Sequence, residues 1–192
     1  MIRFFTRHHW ATVGLAMILS LTTLEFACQP PSWVQVALND LPAIIQIAQA
    51  IIGLVNGAMS SPEDQAKVKA ISDEAVKDLN LLLGLYNTYA AHPTADAKAA
   101  IEKAGAEILQ NLPALLESAH IKNAALLARV TSAVTMVITL VSVVLSLVPN
   151  PTNAAIKDVQ AKKKGAKIPS PQEIINGWNT DICRGEAACT VK

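Results

Sequence analysis

The chain predicts an all-α fold: an antiparallel up-down four-helix bundle with a short helical, disulfide-closed C-terminal tail. Three observations carry that expectation. Apolar residues recur every three or four positions in four segments of about 23 to 30 residues. Turns of only about three to five residues separate those segments, which makes neighbours antiparallel. Two cysteines, Cys183 and Cys189, bracket a small loop near the end. Of the 192 residues, 52% are hydrophobic and 16% charged, a balance that excludes disorder. The length suits one domain after processing.

Residues 1–27 have the three-part plan of a secretory signal: Arg3 and Arg7, an apolar run from Trp10 to about Leu24, then Ala27 before Cys28. The segment LTTLEFAC resembles a bacterial lipoprotein signal, in which a small residue precedes the cysteine that takes diacylglycerol and becomes the new N-terminus. The resemblance covers this segment alone. Glu25 stands where the usual pattern has leucine, with Leu24 one step further back. The resemblance implies lipidation of Cys28, a spacer at 28–32 and a membrane anchor. Plain secretion and an uncleaved anchor are the other fates this segment allows. Cysteine arithmetic agrees with lipidation, because one lipid on Cys28 and one Cys183–Cys189 bridge use all three cysteines. Two free thiols on a frayed tail are the plainer alternative.

The bundle is expected over 33–148. From Trp33 to about Asn56, Gln35, Asn39, Pro42, Gln46, Gln49, Gly53 and Asn56 step by four and three, so one narrow stripe is polar and the rest aliphatic. Such a helix is buried on most sides. Pro42 marks either an early kink or the first turn of a helix capped by Asp40. The second helix opens at Ser61-Pro62-Glu63-Asp64, a serine cap, a first-turn proline and acids at the positive end of the dipole. Val68, Ile71, Ala75, Leu79, Leu82, Tyr86 and Tyr89 form its seam, with Lys67, Asp73, Glu74, Lys77 and Asp78 facing away.

His92-Pro93-Thr94 ends the second helix and caps the third, whose seam is Ala97, Ile101, Ala104, Ile108, Leu112 and Leu115. Pro113 should bend or divide it. The fourth runs from about Asn123 to Val148, with 19 uncharged residues from Val130 onward. Ser132, Thr135, Thr139, Ser142 and Ser146 make a small ridge along it that should let a neighbouring helix approach closely. The first and fourth helices, the most apolar, are expected at the centre. In the tail, 149–192, Ser170-Pro171-Gln172-Glu173 opens a short helix that Gly177 should end.

Little of this points to catalysis. Without residues 1–27, 14 basic residues face 14 acidic ones, so nothing draws the chain to nucleic acid. His92 and His120 lie near helix ends, with no acid or cysteine at ligand spacing; no metal, cofactor or catalytic site is expected, and no enzyme. The acid pairs Glu63/Asp64 and Asp73/Glu74 read as a hydrated face. Gly53 and Gly57 form a GxxxG, either a helix-pairing ridge or a tapering helix end. The Lys162–Lys164 run reads as a solvated helix end that, beside a membrane, would touch anionic lipid. The expected role is an exported, lipid-anchored protein of the bacterial cell envelope, on the periplasmic side or the cell surface, structural or binding an envelope protein or itself. The alternative is a small integral membrane protein, a pore or transporter accessory, spanning at 130–148 and, in a two-span version, at 41–59.

Overall fold

The computed structural model describes residues 30–55, 60–163, 165 and 167–192. The signal segment, Cys28 and the Asn56-Gly57 end of the GxxxG lie outside the described residues. Six helices follow in order: α1 (Ser32–Ala50), α2 (Pro62–Ala91), α3 (Ala95–Ala119), α4 (Ala124–Ser146), α5 (Ala154–Lys163) and α6 (Pro171–Gly177). A 3-10 turn, Ile51–Val55, extends α1, and a π-helical turn, Trp178–Ile182, extends α6.

The first four helices form the expected up-down bundle. Each packs on the next, and α4 closes the ring on α1. Their directions show in pairs of contacts: Trp33 at the start of α1 meets Tyr86 and Tyr89 at the end of α2, while Ser72 Oγ, early in α2, donates to Ala48 O at the end of α1 over 2.7 Å. Capping chemistry places the helix starts where the sequence puts them. Ser61 accepts from Asp64 N at 3.1 Å, Thr94 from Ala97 N at 3.1 Å and Asn123 from Leu126 N at 3.0 Å.

The core is one aliphatic cluster. Ile44 and Ile47 of α1, Ile71, Leu79 and Leu82 of α2, Ile101 of α3 and Val137 and Leu145 of α4 are all fully enclosed. Each large aliphatic side chain so buried contributes about 1.5–3 kcal/mol. Between α3 and α4 the approach is close: a Cβ on Gly105 would stand 2.7 Å from Leu145 Cδ1 and closer to Cδ2, so the leucine would have to shift.

Several local expectations change. Helix α1 begins at Ser32, so Asp40 caps nothing and is instead a buried carboxylate inside the helix. Pro42 sits within the helix on its exposed stripe, where water can take the Leu38 carbonyl that loses its partner. Helix α3 likewise runs unbroken past Pro113 to Ala119. Gly177 does not end α6, because its φ of −58° is helical and the chain continues into the π-helical turn. Helix α5 opens just after Asn153, whose Oδ1 accepts from Ala155 N at 2.9 Å, and this start is also held from α3, as shown below.

The centre of the molecule also follows a different logic from the one expected. In a ring of four helices none is central. Helices α1 and α4 are more covered because the tail crosses them: α5 lies on α4 and the edge of α3, α6 lies on α1, and the π-helical turn returns to α4.

Candidate functional site

The C-terminal loop is the most specifically held piece of the surface. Cys183 and Cys189 form the expected disulfide, with Cα atoms 5.7 Å apart and both residues buried. Trp178 Nε1, itself buried, donates to Cys189 O at 2.7 Å. Asn179 clamps the last residues twice, its Nδ2 donating to Val191 O at 2.8 Å and its Oδ1 accepting from Val191 N at 2.9 Å. Glu186 reaches Arg129 of α4 at 2.8 Å. The loop lands on Gly53: a Cβ there would stand 2.8 Å from Ala188 C and from Cys189 Cα, and nearer still to Ala188 O. Gly53 is therefore spent on a contact within the chain, and its face is not open to a second helix.

Two carboxylates hold turns from a distance. Asp64, in the first turn of α2, is buried and accepts from Lys122 N at 3.0 Å and Asn123 N at 3.2 Å, at the start of α4. Those bonds, the Lys122 amide's first, hold its carboxyl below the usual range against the opposing effect of burial. Its neighbour Glu63 stays exposed, and hydrogen bonds from Lys122 and Lys67 lower it to about 2. The hydrated-face reading therefore holds for Glu63 and fails for Asp64.

The second is Glu102 of α3. Its Oε2 accepts from Thr152 N at 2.7 Å, Thr152 Oγ1 at 2.9 Å and Asn153 N at 2.8 Å, which fixes the two residues that lead into α5, where Asn153 Oδ1 in turn caps Ala155 N at 2.9 Å. Burial pushes this carboxyl up, but the bonds from Asn153 and Thr152 outweigh it and the net shift is downward. Lys98 stands 3.3 Å from its other oxygen and donates to Asn150 O at 2.7 Å.

Stepping the α2 seam back four places from Val68 lands on Asp64, so its burial was readable from the periodicity. Asp78 sits at steps of three and four between Ala75 and Leu82, and it is half-buried rather than outward, its carboxyl raised by burial. Asp40 is raised for the same reason. No motif marks Glu102.

The serine and threonine ridge of α4 divides. Ser142 is buried and Ser146 partly so, and both donate to carbonyls of their own helix. Ser132, Thr135 and Thr139 face instead a groove of about 560 Å³ between α4 and the tail, floored by Met136 and Leu140 and walled by Ile174 and Ile182. The helix expected against that part of the ridge is not there, because the tail crosses beside it.

A second cleft, of about 500 Å³, lies between the end of α4 and α5, lined by Ser146, Leu147, Lys157, Gln160 and Lys163. Gln160 Nε2 donates into it, to Ser146 O at 3.3 Å and Val148 O at 3.1 Å. His92 and His120 stand just past the ends of α2 and α3, as expected; His120 is left-handed with φ 47°, and Lys67 Nζ takes its carbonyl at 3.1 Å. Among the described residues, no group of three His, Cys, Asp or Glu is placed to hold a metal. Compared with protein-family profiles, with curated proteins and with solved structures, the chain finds no match.

Proposed function

We propose that this protein is exported, tethered to a membrane through lipid on Cys28, and works as a water-soluble helical bundle with a structural or protein-binding role in the bacterial cell envelope. The observation that carries the reading is the seated Cys183–Cys189 bridge, since a structural disulfide belongs to an oxidising compartment outside the cytosol. It is supported by the outward faces of the two most apolar helices. Asn39, Gln46 and Gln49 of α1 and Thr131, Ser132, Thr135 and Thr139 of α4 face solvent. Among the described residues, the large exposed hydrophobic side chains are Ile52, Leu81 and Leu127, on three different elements, which makes no lipid-facing belt.

The second reading, an integral membrane protein, rests on length and composition: the Ser32–Val55 stretch and α4 are both apolar enough to span. Half or more of each span is covered by protein. The remaining surface is the polar stripe, the wrong face for lipid.

The intact mass of protein purified from its own membranes, before and after reduction, tests the proposal. The expected mass begins at Cys28, carries diacylglycerol and gains two hydrogens on reduction. Residues 1–27 still attached, with both thiols free, would sink it and favour the spanning reading.

A further inference from the structure

Lys157 and Lys163 both line the cleft at the end of α4, together with Gln160, and no carboxylate lines it. Among the described residues neither lysine has an acid within ion-pair reach, whereas Lys67, Lys69, Lys77, Lys98, Lys103, Lys122, Lys162 and Lys167 all do. The two uncompensated ammonium groups thus share one concave site. A cleft with that lining suits a phosphate-bearing group, with lysines and an amide to donate to its oxygens.

Its position says where the phosphate comes from. Ser146 and Leu147 close α4 at the end of the bundle where α1 begins: Trp33 stacks there at 5.7 Å on Tyr86 and at 5.2 Å on Tyr89, and Lys98 bonds Asn150 just past α4. Three of the four aromatic residues in the described chain gather at this one end, with Trp33 and Tyr89 partly open to solvent. Tryptophan and tyrosine beside unpaired lysines is the composition of a headgroup-level contact. Pro30, the first described residue, lies at the same end, and its carbonyl accepts from Gln35 Nε2 at 3.1 Å.

We infer that this end of the bundle docks on an anionic bilayer, with lipid phosphate held between Lys157 and Lys163 and the Trp33–Tyr89 edge at headgroup level. The inference rests on the tether reading for its orientation, because the described chain begins at Pro30 on this side. The disulfide loop and the α4–tail groove then point away from the lipid, toward whatever the protein meets in the envelope.

Hydrogen exchange on the full-length protein, as purified from its membranes and reconstituted, tests it. One set of vesicles is phosphatidylcholine alone; the other contains phosphatidylcholine and phosphatidylglycerol at roughly two parts to one. Anionic vesicles should slow exchange at 154–163 and around residue 33, and leave 183–192 unchanged. The double variant K157Q/K163Q should weaken that docking roughly 25-fold, at about fivefold per lysine, whereas K69Q/K103Q, which removes equal charge elsewhere, should not. Thermal unfolding of both variants checks that they fold. Equal exchange on both vesicles, or an unaltered response in K157Q/K163Q, overturns the docking surface and leaves the tether standing. Docking that persists in protein whose mass lacks diacylglycerol supports the surface and removes the tether. Protection centred on Thr131–Thr139 means insertion and overturns both.

Discussion

Gly53 and Ala188 touch so closely that no side chain fits between them: a Cβ on Gly53 would lie 2.8 Å from the Ala188 carbonyl carbon and inside contact with its oxygen. The obstruction is backbone, which cannot rotate away. Gly53→Ala should therefore lift the disulfide loop from the end of α1 and cost about 1–3 kcal/mol, the range for overpacking a close-fitted site. Chemical denaturation measures the loss. Exchange at 178–191 should rise with it, and an unchanged midpoint would mean the loop has another seat.

Reduction of Cys183–Cys189 probes the same loop without adding an atom. The cysteines are six apart in sequence, and a loop that small is worth about 2 kcal/mol of chain entropy. Reductant should lower the free energy of unfolding by that amount while the helical circular dichroism of α1 to α4 survives. Collapse of the whole spectrum would mean that the loop, and not the bundle, nucleates the core.

Removing Glu102 leaves the Thr152 and Asn153 amides without their acceptor. Glu102→Ala should cost about 1–3 kcal/mol and free the first turn of α5, seen as faster exchange at 152–156 with α3 itself intact. No change at those amides would show that water replaces the carboxylate.

Acid should unfold the protein through depressed carboxylates. Asp64, Glu63, Glu102 and Glu173 all have folded pKa values below their ordinary ones of 3.8 or 4.5, and hydrogen bonds from Lys167 and Ser170 bring Glu173, like Glu63, to about 2. A lowered folded value means stability that is present above the unfolded value and lost as pH falls through the folded one. The loss should therefore run from about pH 4.5 down to about 2. Urea midpoints across that window measure it, and a flat profile contradicts the clamps.

Asp40 should behave oppositely. Burial raises its pKa from 3.8, so its charge costs stability as pH rises through the folded value. Asp40→Asn should be more stable than the parent near neutral pH, with the difference closing below about pH 3.8. A destabilised variant would mean that the carboxylate holds a partner.

Much of the bundle was legible in advance for a local reason. The cap residues Ser61, Thr94 and Ser170 act within three positions of themselves, and all three accept from the amide three places on. The seams also held, since Val68, Ile71, Ala75, Leu79, Leu82 and Tyr86 are buried together on α2. What failed was read from a residue's class rather than its phase. Asp64 and Asp78 lie in step with the apolar seam, and only their acidity points them outward. Pro42 lies inside its helix and not in a first turn, and Pro113 does not divide α3.

By itself, then, the sequence determined the helices, their caps, their polar stripes and their antiparallel order, because each depends on chemistry within a turn or two of chain. The course of the tail was decided only in three dimensions. Glu102 holds the Thr152 and Asn153 amides about 50 residues away and Gly53 receives the disulfide loop, just as, within the bundle, Asp64 holds a turn 58 residues on. Such contacts join residues that lie far apart in the chain. No periodicity records them, because their two halves meet through the fold and not along the chain.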